Sequence, residues 1–213
     1  MELAYLFFGF IIALSGALIP GPLLVFVVSD TLKTGKKVTG VLAALGHCFV
    51  EVFIILTIVL GLSSVFAKGF FQQSIGLIGG IALVILGILN LVELRKTTKV
   101  EGRDFGYGSF LGGLAFTLLN PTIYLWWATI GLAMLTIALR TTTILGVCLW
   151  VLGHWLADLT WFGLAGYSIF RGKNYIGKRT HRILISICGI TLIALGTIFT
   201  YYSLQSLMTG QKP

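Results

Sequence analysis

The chain's 213 residues are 57% hydrophobic and only 10% charged, whereas a soluble domain averages about 25% charged residues, which excludes a largely water-facing globule. A formal charge of +8 would point to nucleic acid in a soluble protein. Here the basic residues cluster between long apolar runs, where they act as a topology signal and attract anionic lipid heads, and no nucleic-acid partner is expected.

Leu3–Ser29, Gly69–Val92, Phe105–Leu139 and Ile183–Gln211 carry no charged residue, and Val38–Ala67 and Thr141–Phe170 carry one acid apiece. A helical crossing needs roughly 20 apolar residues. The sequence therefore predicts an all-α integral membrane protein with six transmembrane helices. Continuous runs of this kind are unlike the short alternating segments of a transmembrane β-barrel.

The first span starts beside an acid, Glu2, has no basic leader and is too long for a signal-peptide core, so it reads as the first helix of the mature protein. It ends in Pro20-Gly21-Pro22. Proline removes a donor and clashes with the carbonyl four residues back, so Pro20 frees the carbonyl of Gly16 and Pro22 that of Leu18. Such breaks survive at bilayer depth only inside protein or along a wet cavity. The freed carbonyls suit a cation, and the start of the following half-helix suits an anion. A zwitterionic amino acid presents both charges.

The second span holds Leu45-Gly46-His47-Cys48-Phe49-Val50-Glu51, which puts His47 and Glu51 on one helical face. The third holds Gly80-Ile81-Ala82-Leu83-Val84-Ile85-Leu86-Gly87. Its Gly76-x-x-x-Gly80, like Gly108-x-x-x-Gly112 later, fits close helix packing, either within the monomer or on a homodimer face. The polar segment Glu93–Asp104 separates two halves.

The fourth span contains Asn120-Pro121, and Pro121 frees the carbonyl of Thr117. Ser15, Thr117, Asn120, Thr122 and Tyr124 are the candidates for lining a solute site at the two breaks. The fifth span repeats the motif of the second, as Leu152-Gly153-His154-Trp155-Leu156-Ala157-Asp158, and the sixth repeats that of the third, as Gly189-Ile190-Thr191-Leu192-Ile193-Ala194-Leu195-Gly196. Ionisable residues within a membrane span are functional candidates by default, and histidine exchanges protons near neutral pH. His47, Glu51, His154 and Asp158 are therefore assigned to proton coupling, or to direct binding of a cationic group. Satisfying one another as interhelical glue is the simpler alternative.

Three matches in the same order define a repeat of three helices. An odd-numbered repeat must insert upside down relative to its copy, the plan of many secondary transporters. The domain reading is one transporter domain, residues 1–213, with repeat 1 over 1–93, a cytoplasmic linker over 94–104, repeat 2 over 105–208 and a polar tail over 209–213. Twelve basic residues fall on one side (Lys33, Lys36, Lys37, Arg95, Lys96, Lys99, Arg103, Arg171, Lys173, Lys178, Arg179 and Arg182) and three on the other (Lys68, Arg140 and Lys212). By the positive-inside rule both termini lie outside the cytoplasm.

Cys48, Cys148 and Cys188 are isolated in apolar helices, unlike the paired thiols of a transmembrane thiol–disulfide relay. Nor is there a G-x-x-x-x-G-K-[ST] nucleotide loop. No enzymatic activity, resident metal or cofactor is expected.

With Pro20-Gly21-Pro22 in the first span, Gly40 and Gly46 in the second and Asn120-Pro121 in the fourth, the chain resembles the LysE/RhtB family of amino-acid exporters over essentially its whole length. The resemblance implies a multi-pass plasma or bacterial inner membrane protein. It further implies efflux of amino acids or related zwitterionic or cationic metabolites, driven by a proton or ion gradient. It also adds weight to the broken helices as the substrate site. Thr122 stands where the family often has a lysine after Asn-Pro, a departure that bears on substrate preference and coupling. Export of a divalent metal ion is the competing transport function, since carboxylates with histidines ligate such cations.

Overall fold

Proline decides where two of the helices begin. The computed structural model describes residues 2–62, 65, 68–96, 108–172, 175 and 177–209, and all regular structure among them is helical, with no strand. Helix α1 (Leu3–Ala17) stops ahead of Pro20, and α2 (Pro22–Thr34) starts with Pro22 in its first turn, where a missing N–H costs nothing. Gly35, in the left-handed region at φ 65, ends α2 with its N–H on the Thr31 carbonyl at 2.9 Å, the usual glycine stop. The pair α1–α2 is bent by 79°, so together they form one broken span.

Two long helices follow, α3 (Thr39–Val59) and α4 (Gly69–Lys96). The second half opens with α5 (Gly108–Leu118), then breaks at the expected place. Asn120 caps α6 (Pro121–Trp126), its Oδ1 accepting the Thr122 N–H at 3.1 Å, a standard N-cap. A π-helical turn (Trp127–Gly131) carries α6 straight into α7 (Leu132–Thr141), and α8 (Ile144–Gly172) and α9 (Lys178–Thr209) complete the chain.

Among the described residues, five stretches are long and apolar enough to cross a membrane, namely Thr39–Val59, Gly69–Val92, Pro121–Thr141, Ile144–Gly172 and Arg182–Thr209, and the bent pair makes up to six. This agrees with the expected membrane architecture. The linker expected over 94–104 begins as three more residues of α4. From residue 97 onward it lies outside the described residues, as do Lys99, Arg103, Lys173, Lys212 and the tail beyond Thr209.

The break sites satisfy much of their own backbone. The Gly16 carbonyl, deprived of its donor by Pro20, accepts from the Ile19 N–H at 3.2 Å, and the Thr117 carbonyl accepts from the Asn120 N–H at 3.1 Å. These tight closing bonds occupy acceptors that the sequence left open for a ligand.

Packing follows small residues. Helix α4 lies along α9, α1 against α8, and α5 against α3, while α3 and α8 meet at the centre. A Cβ on Gly9 would strike the carbonyl of Trp150, and one on Gly153 the carbonyl of Leu6; likewise Gly113 is closed by Ala43 and Gly46 by Phe110. Gly80 and Gly196 face each other's carbonyls, as do Gly87 and Gly189. Of the glycines in the two expected packing motifs, Gly76 and Gly80 meet α9 of the same chain and Gly112 meets the Phe26 ring. Outward-facing Phe7, Phe53, Phe70, Ile78, Leu164 and Met208 are more than half exposed, an apolar exterior suited to lipid rather than water.

Hydrogen bonds also tie the two ends of the broken span α1–α2. At its start the Tyr5 hydroxyl pairs with Thr141 Oγ1 at 2.8 Å, and Thr143 donates to Glu2. At its end, Ser109 donates to Asp30 Oδ2 at 2.8 Å, with both residues buried.

Candidate functional site

The histidines and acids do not form two separate pairs. Helices α3 and α8 cross so that each histidine reaches both carboxylates. His47 Nε2 lies 3.3 Å from Glu51 Oε1 and 3.7 Å from Asp158 Oδ2. His154 Nε2 lies 3.1 Å from Glu51 Oε1 and 3.4 Å from Asp158 Oδ2. The i,i+4 spacing brought each pair to one face, and the helix crossing closed the two pairs into a ring of alternating histidine and acid. Glu51, His154 and Asp158 are buried, and His47 is 13% exposed.

Neighbouring elements hold the ring. From the π-helical turn, Trp127 donates its indole N–H to Glu51 Oε1 at 2.8 Å. His154 sits among Trp126, Trp127 and Trp150, with ring centroids 5.0, 5.0 and 5.8 Å away. On the other side, His47 Nδ1 meets Thr117 Oγ1 at 3.0 Å, and Thr117 in turn donates to the Gly113 carbonyl at 2.7 Å. Among the described residues, Glu51 Oε2, His154 Nδ1 and Trp126 Nε1 are buried with no hydrogen-bond partner.

A cavity of about 190 Å³ opens on this ring. Its wall includes all four ring residues together with Gly21, Thr117, Asn120 and Thr122 from the two breaks. Both features singled out in the sequence, the proline breaks and the membrane acids, therefore meet in one space. The cavity is smaller than the roughly 300–1,000 Å³ typical of drug-sized ligands, and suits a small solute.

Other expected lining residues fall elsewhere. Ser15 is exposed and bonds back to the Ile12 carbonyl at 2.6 Å. Tyr124 directs its hydroxyl to the Leu118 carbonyl at 3.0 Å and, with Pro121, faces a separate groove between α4, α6 and α9. Pro20 and Pro22 shape the break without contributing to the cavity wall.

Sequence reasoning passed over Trp126, Trp127 and Phe162, of which Trp126 and Phe162 line the cavity. A signal was present for Trp127: tryptophans prefer the membrane interfaces, so one within a span marks a polar partner, here Glu51, whereas Trp126 Nε1 has none.

The family model described as LysE type translocator matches residues 14–203. Comparison with curated proteins and with solved structures returned no match.

Proposed function

Since the chain belongs to the LysE type translocator family, a family of membrane transport proteins, we propose that it exports amino acids or related small zwitterionic or cationic metabolites from the cytoplasm. The observation that carries this reading is the single cavity walled by both helix breaks and by the histidine–carboxylate ring. Glu51 and Asp158 supply negative charge for a substrate ammonium. The cap at Asn120 and the N-terminal ends of α2 and α6 supply the positive pole for a carboxylate. His47 and His154 are the proton-handling partners of the two acids, which makes coupling to a proton gradient the natural driving force.

We further propose that transport runs by alternating access between two inverted halves. The interlocked glycines support this reading. Leu6 and Gly9 face Trp150 and Gly153 as Phe110 and Gly113 face Ala43 and Gly46, with the same three-residue spacing throughout. The terminal hydrogen bonds repeat the pattern: the start of α1 holds the end of α7, and the start of α5 holds the end of α2. In this scheme the two contacts are gates at opposite faces, with both termini outside the cytoplasm.

A metal cargo is the second reading, favoured by one observation: ligand atoms of His47, Glu51 and Asp158 lie within 4.8 Å of one another. It ranks second because Glu51 Oε1, one of the would-be ligand atoms, already accepts from the Trp127 indole and lies 3.1 Å from His154 Nε2, although His47 has in Thr117 the outer partner that a ligating histidine usually has.

The test is efflux from reconstituted vesicles loaded with labelled amino acids and divalent metals, under an imposed proton gradient. Amino-acid efflux that is lost in Glu51→Gln and Asp158→Asn supports the proposal. Efflux of metals alone overturns it, and normal gradient-driven transport by both variants removes the acids from the mechanism.

A further inference from the structure

We propose that Trp126 is a substrate-binding residue: its indole N–H receives the carboxylate of the solute whose ammonium Glu51 and Asp158 hold. The site then takes a zwitterion such as an α-amino acid and discriminates against the simple amine of the same side chain. The meaning of this for transport rests on the exporter reading above; the binding chemistry is tested separately.

Among the described residues, four side-chain atoms belonging to the cavity wall are buried without a hydrogen-bond partner: Glu51 Oε2, Asp158 Oδ2, His154 Nδ1 and Trp126 Nε1. Ionised carboxylate oxygens only accept, and an imidazole nitrogen does either, whereas an indole nitrogen only donates. Buried polar groups are nearly always paired. A wall with orphan acceptors and an orphan donor is therefore complementary to a molecule that carries both a cation and an anion. Trp155 and Trp161 also have unpaired indoles, but neither belongs to the cavity wall.

Other donors around the cavity are spent. Thr122 gives its hydroxyl hydrogen to Asn120 Oδ1 at 2.8 Å, Thr117 to the Gly113 carbonyl at 2.7 Å, and Trp127 its N–H to Glu51 Oε1 at 2.8 Å. The Asn120 amide and the Trp126 indole remain for a carboxylate, and a bond from either is strengthened by the charge it meets.

The placement of Trp126 suits an amino acid. Such a solute carries both charges on one carbon, so the donor must lie close to the acids. The Trp126 ring is centred 5.0 Å from that of His154, which itself reaches the two acids at 3.1 and 3.4 Å. Behind the indole is Gly16, in the last turn of α1. A Cβ there would stand 3.1, 3.3 and 3.5 Å from Nε1, Cδ1 and Cε2. Near-equal distances to three adjacent ring atoms put Gly16 over the face of the indole, out of line with its N–H. Glycine thus lets a ring supplied by the second break lie flat against the first.

The experiment is equilibrium binding of labelled alanine, leucine and lysine to the purified full chain, compared with ethylamine, isopentylamine and cadaverine, their decarboxylated counterparts. Wild type prefers the amino acid over the matching amine by about tenfold or more, the worth of a hydrogen bond to a charged group. Trp126→Phe keeps a ring and removes the donor: amino-acid affinity falls about tenfold, amine affinity holds, and the preference collapses. Unchanged amino-acid affinity overturns the proposal. So does an equal fall for both members of a pair, because a packing defect does not read a carboxylate. If Trp126→Phe does not fold, Gly16→Ala decides: its methyl shifts the indole and narrows the preference, and an undiminished preference overturns the proposal. In vesicles, Trp126→Phe raises the KM for amino-acid efflux with little change in the maximal rate. Normal efflux by that variant overturns the assignment and leaves the exporter reading intact. A wild type that exports none of the amino acids overturns the exporter reading, and the binding preference then judges Trp126 alone.

Discussion

His154 Nε2 stands closer to Glu51 Oε1, at 3.1 Å, than does His47, the histidine four residues before Glu51 on the same helix, at 3.3 Å. The stronger partner comes from the other half of the chain. Removing one member of a buried pair strands the other and costs about 3–5 kcal/mol. Glu51→Gln and His154→Gln are each expected to destabilise the detergent-solubilised protein strongly. The double variant should lose less than the sum by about 0.5–3 kcal/mol, the usual coupling of contacting residues. Thermal unfolding of the four proteins measures this; strict additivity would deny the cross-helix contact.

Trp127 gives a separate handle on the same carboxylate. Trp127→Phe keeps an aromatic ring in a fully buried site but deletes the donor to Glu51 Oε1. A hydrogen bond to a charged group contributes about 1.5–3 kcal/mol, so a loss in that range is expected on unfolding, together with slowed efflux. A variant as stable and active as wild type would show that Glu51 does not depend on the indole.

The glycine seams predict where added bulk is not tolerated. Gly46→Ala and Gly153→Ala each drive a methyl into a backbone carbonyl, and overpacking of this kind costs typically 1–3 kcal/mol. A Cβ on Gly69 would meet nothing closer than a flexible Gln73 side chain at 3.8 Å, so Gly69→Ala serves as the tolerated control. Expression and melting temperature should separate the two seam variants from the control.

The proposed gate between α2 and α5 makes a mechanical prediction. With Cys48, Cys148 and Cys188 replaced by alanine, Asp30→Cys combined with Ser109→Cys places two thiols where Ser109 now donates to Asp30. Joining them by oxidation or a short bis-thiol reagent should stop efflux, and reduction of the disulfide should restore it. Undiminished efflux by the joined protein would show that this contact does not need to open.

Sidedness is checked with single cysteines in the same background. In right-side-out vesicles an impermeant maleimide should label Thr142→Cys directly and Lys36→Cys only after permeabilisation. The reverse pattern would turn the proposed orientation over.

Much of this protein was legible in the chain itself, because a bilayer imposes demands that a sequence must meet locally. Uncharged runs of span length, prolines that stop helices, Asn120 as a cap and histidine–acid spacings of four all act within a turn or two. Helical membrane architecture, both breaks and the four ring residues followed from them. What the sequence left open depends on which helices touch. The crossing of α3 and α8 turned two local pairs into one ring, the π-helical turn carried Trp127 to Glu51, and α5 placed Thr117 against His47. Local rules also misjudged the break carbonyls of Gly16 and Thr117, which take tight hydrogen bonds from Ile19 and Asn120. Apolar patterning says only that a face avoids water, and lipid and protein satisfy that demand equally. Helix partners are instead chosen by the close fit of glycine seams and by the need of buried polar atoms for one another, and both are settled only in three dimensions.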